Sequence, residues 1–383
     1  MQDWIHFFTT LTGEKILTGT LYFFFFIAFI QLFFYLFFYT RIAWTKNHVK
    51  EAPAEEVPLS VIICARNEAR NLRRFLPSIL EQDYSNYEVI VVNDCSQDDT
   101  EVVLKRFCQK YEHLRTTFLR EDEKFVHGKK LALTVGIKAA QFEYVVLTDA
   151  DCQAVSKNWL KQIAASLGKK SIVLGYGGFL QRKGFLNRLI RFDTLWIALQ
   201  YLSFAKSGLP YMGVGRNLAY HKSLFFGVKG FASHARLESG DDDLFINQVA
   251  NHRNTTVLYN EDSHTRSRPK IRFKHWVDQK RRHFTTSGHY RFIHKFLLSL
   301  EPASRVLFYA LFATLMFFPK YRIIAGSIAL FRLLVFFLIV PFVKKHFKEP
   351  GIIGWALFFD IIFPFLYFYI HLLNIFAPYK RWR

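Results

Sequence analysis

Two aspartates one residue apart, Asp149 and Asp151, follow the apolar run Tyr144-Val145-Val146-Leu147. Carboxylates that leave a buried strand at its carboxyl edge stand where open α/β sheets bind their ligands. Their hard oxygens suit Mg²⁺ or Mn²⁺ shared with the phosphates of a nucleotide. Far downstream, Asp241, Asp242 and Asp243 follow Ser239-Gly240 without a break. A carboxylate poised by neighbouring negative charge can act as a general base toward a hydroxyl. Taken singly, either group reads as well as a solvated turn or a helix start. The surrounding elements give them weight.

Residues 59–64, 88–92 and 144–147 are short β-rich runs ending in polar residues, and 171–174 is a further candidate strand. Between them, 69–80, 100–111 and 129–140 carry apolar residues at helical spacing, as does 188–205 further on. This alternation predicts a mainly parallel sheet with helices on its faces.

The 383-residue chain is 51% hydrophobic with 43 Phe, too apolar and too clustered for one soluble domain. Residues 16–39 form a nearly unbroken apolar run, and a span needs roughly 20 such residues. The run is longer than the apolar part of a signal peptide and no cleavage site follows, which predicts a retained anchor. Three more runs lie at 306–318, 323–343 and 352–376; the first is short for a span and calls for tilt, re-entry or extension at its ends. Arg41, Lys46 and Lys50 follow the first span, so the positive-inside rule puts the amino terminus outside and residues 41–300 in the cytoplasm. Lys344, Lys345 and Lys348 fit that side. Lys380, Arg381 and Arg383 do not, since three spans leave the tail outside. Arg332 and Asp360 lie inside spans, where ionisable groups are costly, and their depth suits a structural pair between antiparallel helices, with lipid-headgroup binding as the alternative.

The expected organisation is an anchor at 1–45, a linker at 46–58, a catalytic domain at 59–262, a basic arm and interfacial helix at 263–300, and membrane helices at 301–383. In the arm, Arg266, Arg268, Lys270, Arg272 and Lys274 alternate around Pro269, an extended pattern. Trp276, Phe284, Phe292 and Phe296 then mix with Lys280, Arg281, Arg282 and Arg291, which suits a membrane interface or a solvated basic surface. Cys64, Cys95, Cys108 and Cys152 lack metal-ligand spacing and read as reduced thiols. The formal charge of +20 points to an anionic membrane surface or a diphosphate substrate, not to nucleic acid.

Four separated pieces resemble the motifs of the membrane-bound family 2 inverting glycosyltransferases, which include ceramide glucosyltransferase and the cellulose, chitin and hyaluronan synthases. Ser60 to Glu68 is similar to the opening strand and loop that face the nucleotide, with Ala65, Asn67 and Glu68 on the nucleotide side. Val91-Val92-Asn93-Asp94-Cys95-Ser96-Gln97-Asp98-Asp99-Thr100 resembles V-V-D-D-G-S-x-D-x-T, with Asp94 at the nucleoside contact and Asn93 where many members have Asp. Gly128-Lys129-Lys130-Leu131-Ala132-Leu133 matches G-K-x-x-A-L, with Lys129 on the donor. Asp149 and Asp151 match D-x-D, the metal ligands. Ser239-Gly240-Asp241-Asp242-Asp243-Leu244 resembles the E-D or G-D-D element. The second alignment puts the base at Asp242, which is preferred, and the first at Asp241. Gly213 to Tyr220 is similar to the acceptor-side loop. Gln279-Lys280-Arg281-Arg282-His283 resembles Q-x-x-R-W, with Gln279, Arg281 and Arg282 on the donor side and His283 in place of the indole.

The resemblance covers roughly residues 58–300. It implies a GT-A fold, an α/β Rossmann-like domain flanked by one N-terminal and three C-terminal membrane helices. It also implies a nucleotide-diphosphate sugar, most often UDP-linked, and a divalent metal. The expected setting is a bacterial inner membrane, with a lipid-linked or glycan acceptor and a homo-oligomer left open. The alternatives are a processive polysaccharide synthase and a non-catalytic membrane scaffold.

Overall fold

The computed structural model describes residues 2–45, 56–120, 128–168 and 170–377. Most of the expected linker, with Lys46, Lys50 and Pro53, and the tail residues Lys380, Arg381 and Arg383 lie outside the described residues. The chain opens with α1 (Gln2–Phe33), a π-helical segment (Phe34–Tyr39) and α2 (Thr40–Ala43). An alternating region follows: β1 (Leu59–Ala65), α3 (Ala69–Leu80), β2 (Tyr87–Asp94), α4 (Thr100–Lys110), β3 (Leu114–Leu119), α5 (Lys129–Ala139) and β4 (Tyr144–Asp149). Next come β5 (Cys152–Ala154), α6 (Trp159–Ser166), β6 (Ile172–Gly175), β7 (Gly177–Phe179), α7 (Phe185–Lys206), β8 (Leu218–His221), α8 (Lys222–Gly227), α9 (Asp243–Val249), β9 (Thr255–Leu258) and β10 (Thr265–Ser267). Four helices close the chain: α10 (Phe273–Ser287), α11 (Phe292–Met316), α12 (Pro319–Phe347) and α13 (Ile353–Phe376).

The main sheet runs β3-β2-β1-β4-β8-β6-β9, and β5-β10-β7 form a second, small sheet. β1 to β4 are parallel, as the strand–helix alternation predicts, while β8 lies antiparallel to both β4 and β6. Side chains alternate between the two faces of a strand. Val61, Ile63, Val89, Val91 and Val146 pack on α3, α4 and α6. Ile62, Ile90, Val92, Val145 and Leu147 face α5 and α7. Burial on both faces explains why these strands read as unbroken apolar runs. The second face continues through α7 into the π-helical segment, α2, α12 and α13.

Among the described residues, four helices are long and apolar enough to cross a membrane: Gly13–Ala43, Phe292–Met316, Pro319–Phe347 and Ile353–Phe376. The short run at 306–318 is the second half of α11, so extension at the amino end supplies the missing length. Arg332 and Asp360 pair at 2.6 Å, as expected, but inside a larger cluster. Arg305 also reaches Asp360 at 3.2 Å and pairs with Glu301, while Arg332 donates to Gln31 and to the hydroxyls of Tyr35 and Tyr309. Two cations and two anions thus join α1, its π-helical extension, α11, α12 and α13.

The membrane helices grip the catalytic region at several ends. Lys348 pairs with Glu261 and His294 bonds Asn247, while His346 bonds the Ala43 carbonyl of α2 and so ties α12 to the N-terminal helix. α13 is held at both ends. Arg191 donates to the Pro350 carbonyl just before it, and Asn374 near its far end exchanges hydrogen bonds with Arg281 on α10.

Candidate active site

The carboxyl ends of β1, β2 and β4 meet at one edge of the sheet. After β1, Asn67 adopts a left-handed backbone (φ +56°), and its N–H donates to Ser96 Oγ at 2.9 Å while its Oδ1 accepts from the Gln97 N–H at 2.8 Å. Asp98 accepts from the Ala69 and Thr100 N–H groups at 3.1 and 3.0 Å, and Glu68 N–H donates to Thr100 Oγ1. These bonds hold the Asp98 carboxyl below its usual range against some desolvation. Asn67 and Asp98 therefore lock the loops after β1 and β2 together, a positioning role that the sequence did not assign to Asp98. Asn93 closes the second loop by accepting the Ser96 N–H. Ala65 and Asp94 are buried at their strand ends. Glu68 points to the same edge, where burial and then the charges of Asp151 and Asp149 push its carboxyl up.

Asp149 ends β4. Lys129, in the first turn of α5, places Nζ 2.9 Å from Asp149 Oδ1 and 2.9 Å from Asp241 Oδ2. These carboxylates and Asp242 hold its ammonium well above the ordinary range despite desolvation. The neighbouring Lys130 donates to the carbonyls of His234 and Leu237, fixing the loop that leads into the three aspartates.

Each of those aspartates has a different partner. Asp241 pairs with Lys129, and the charges of Lys129 and Arg282 keep it low although it is buried. Asp243 accepts from Thr286 Oγ1 and from Tyr290 Oη at 2.8 Å, tying the acidic loop to the end of α10 and the turn after it. Asp242 accepts only backbone donors among its described bonds, from the Gly215 N–H at 2.7 Å and the Asp243 N–H at 2.8 Å. Burial first, then the charges of Asp241 and Asp243, push its carboxyl up to about 7. A base poised near neutrality suits proton abstraction at physiological pH.

Asp149, Asp151 and Cys152 place ligand atoms within 4.8 Å of one another. Burial pushes the Cys152 thiol well up, so it stays protonated and is a poor ligand. The two carboxylates remain, and hard oxygens of this kind fit Mg²⁺ or Mn²⁺. Asp151 accepts from Ser267 Oγ at 2.9 Å, while burial and the Asp149 charge push it up. The charge of Arg216 works against that shift, and its guanidinium stacks 4.3 Å from the Phe179 ring. Arg216 thus brings a cation beside Asp151. It was legible only as a member of the Gly213–Tyr220 segment, whose last residues form β8 rather than loop.

The residues of Gln279–His283 diverge. Gln279 and Arg282 are half-buried, and the Arg282 charge reaches Asp241. Lys280 pairs with Asp193 of α7. Arg281, expected on the donor side, instead donates to Asn374 Oδ1 at 3.0 Å and to the Ala377 carbonyl, so it anchors α13. Successive helical residues lie about 100° apart, which puts Arg281 and Arg282 on different faces.

A family model described as Glycosyl transferase family 2 matches residues 60–225, and one described as Glycosyl transferase family group 2 matches 144–374. The glycosyltransferase AglE of Haloferax volcanii is 32% identical over 118 residues, 30% of this chain and 37% of that protein. A poly-beta-1,6-N-acetyl-D-glucosamine synthase of Staphylococcus epidermidis is 32% identical over 103 residues, 27% of this chain and 24% of the other. The aligned stretches thus span well under half the length of these relatives. A mannosyltransferase of Pyrobaculum calidifontis, solved with GDP-Man and Mn²⁺, shares the fold at a TM-score of 0.57 and 20% identity, over 88% of this chain and 99% of that one. With more than half its length matched and the motif residues gathered at one sheet edge, the chain belongs to the family 2 glycosyltransferases.

Proposed function

We propose that this protein is an inverting hexosyltransferase that moves a sugar from a nucleotide-diphosphate donor, UDP-linked, to the hydroxyl of a lipid-linked or membrane-proximal acceptor. The observation that carries the reading is the bridge at Lys129. It joins Asp149 of the D-x-D pair to Asp241, whose neighbour Asp242 is poised near neutrality.

Asp149 and Asp151 would hold the divalent cation, Mg²⁺ or Mn²⁺, which when bound offsets charge developing on the diphosphate. The Pyrobaculum mannosyltransferase, of the same fold, carries Mn²⁺ with its donor, which supports a cation here. Arg216 and Arg282 add fixed positive charge around the same group. Asp242 takes the acceptor proton while the acceptor oxygen attacks the anomeric carbon from the face opposite the diphosphate. The bond from that carbon to the diphosphate oxygen breaks, the nucleotide leaves, and the configuration inverts. The two backbone N–H groups on Asp242 fix the orientation of its carboxylate. Arg41, Lys344, Lys345 and Lys348 lie at helix ends, which supports a cytoplasmic face for the catalytic domain.

A second reading, a processive polysaccharide synthase, draws on the poly-beta-1,6-N-acetyl-D-glucosamine synthases among the relatives. His283 in place of the motif's Trp removes a stacking platform for a growing chain and favours single transfer. Product size separates the two.

The test is UDP release by the detergent-purified protein against a panel of UDP-sugars with Mn²⁺ or Mg²⁺, beside Asp242→Asn. Cation-dependent release with one sugar is expected, reduced in the variant by about 10²–10⁴. Release that survives in Asp242→Asn moves the base to Asp241. Silence across the panel from folded protein overturns the reading.

A further inference from the structure

The short strand β10 has two faces that end on different parts of the molecule. Thr265 and Ser267 turn to the cleft, where Thr265 Oγ1 donates to the Arg216 carbonyl at 2.9 Å and Ser267 Oγ donates to Asp151 at 2.9 Å. Arg266 between them points the opposite way, as strand geometry requires. It pairs with Glu349, in the turn between α12 and α13.

Glu349 is 1% exposed. Besides Arg266, it accepts from Arg191 Nε of α7 at 2.5 Å and from Tyr176 Oη at 2.8 Å. Arg266 also donates to the Phe347 and Lys348 carbonyls, and Arg191 to the Pro350 carbonyl, so the backbone of the turn is held together with its carboxylate. A Cβ on Gly178 would collide with the Arg266 guanidinium, so glycine there keeps the route open. Losing the carboxylate would strand two buried guanidinium groups.

We infer that Glu349 is a positioning residue for the cation site: the turn between α12 and α13 sets β10, and through Ser267 the aim of the Asp151 carboxylate. The inference rests on Asp149 and Asp151 as cation ligands. Ligating carboxylates are themselves held by hydrogen bonds, and losing such a partner typically costs about 10–100-fold in metal affinity.

The experiment measures Mn²⁺ binding to the full-length purified protein, with UDP present and no sugar, from the electron paramagnetic resonance of free Mn²⁺. Thermal unfolding of the same samples is followed without metal. Asp151→Asn should abolish binding. Ser267→Ala and Glu349→Gln should each weaken it about tenfold, and Tyr176→Phe, which keeps every charge, about threefold. The double variant S267A/E349Q should bind no more weakly than the weaker single variant, because both changes act through one contact. A purely structural Glu349 would lower the unfolding temperature and leave the Mn²⁺ affinity of the folded protein at the wild-type value, which overturns the inference. Should E349Q fail to fold, Y176F decides, and wild-type affinity there overturns it equally. Wild-type protein that binds no Mn²⁺, or D151N that binds as wild type does, sinks the cation-site reading and the coupling with it. Loss in D151N beside wild-type affinity in E349Q sinks the coupling alone.

Discussion

Replacing Lys129 with methionine should move the pH dependence of the reaction in a direction fixed by the geometry. The ammonium sits 2.9 Å from Asp149 and from Asp241. A Cβ on Gly215 would lie 3.2 Å from that ammonium and 3.5 Å from Asp242 Oδ2, so cation and base are within about 7 Å of each other. Two unit charges at that distance interact by about 2.4 kcal/mol at an effective dielectric constant of about 20. The Lys129 side chain is 40% exposed, and solvent screening cuts this to roughly half. At about 1.4 kcal/mol per pKa unit, losing the cation raises Asp242 by roughly one unit, from about 7 to about 8. Asp242 must be deprotonated to accept the acceptor's proton, so kcat/KM falls as pH drops through its pKa. The acid limb of wild type should be half-maximal at about pH 7 and that of the variant at about pH 8. Relative to its own plateau, the variant should then be about eightfold weaker than wild type at pH 6.5. The assay is kcat/KM for the active UDP-sugar across the neutral range, where a lost donor contact lowers the plateau without moving the limb. An acid limb that stays in place or moves down in pH would refute the reasoning.

Arg282→Ala should lower kcat by about 10²–10³ by removing fixed positive charge near the leaving group, as steady-state rates would show. Arg281→Ala should lower the unfolding temperature, because Arg281 ties α10 to Asn374 and the Ala377 carbonyl at the end of α13. Asp360→Asn leaves Arg305 and Arg332 without their shared counter-charge and should cost about 3–5 kcal/mol, read from unfolding in lipid. A reporter fused after Ala377 should report the same side of the membrane as one inserted in an exposed loop of the catalytic domain.

The strands legible in the sequence are those buried on both faces. β1, β2 and β4 are runs of Val, Ile and Leu because helices cover them on either side. β10 is Thr-Arg-Ser, without an apolar residue, and is extended because β5 and β7 flank it. The alternating basic arm did signal extended backbone there, but Arg266 points to a buried carboxylate and not to headgroups or water. Glu349, among Lys344, Lys345, His346, Lys348 and Pro350, reads as solvated loop, since nothing local announces two arginines from distant segments. Among the three aspartates, spacing could not separate the proposed base from the ion-pair partner. The separation comes from Lys129, more than 100 residues away, which takes Asp241 and leaves Asp242 to backbone donors. In Gln279–His283 the pattern identified the helix but not its rotation, and rotation decides that Arg282 faces the acidic loop while Arg281 faces α13.

The positive-inside count leaves the basic tail on the wrong side, and the contacts of α13 bear on that count. Its 24 residues rise about 36 Å, enough to cross a bilayer, and the sequence reading counted it as a crossing. Its first turn begins beside Pro350, which Arg191 of the catalytic region fixes. In its middle, Tyr367 bonds Asp193, the residue that also pairs with Lys280 of α10. Near its end, Asn374 is bonded both ways to Arg281, on the helix whose next residue reaches Asp241. A helix running straight through the bilayer would carry Asn374 about 30 Å from the catalytic side, beyond any reach of α10. Its exposed face carries Phe358, Phe365, Phe368, Tyr369 and Ile375, with His371 among them. A helix held in this way is expected to lie along the membrane face and to leave a reporter after Ala377 on the catalytic side, whereas a reporter on the opposite side shows a crossing and overturns the expectation.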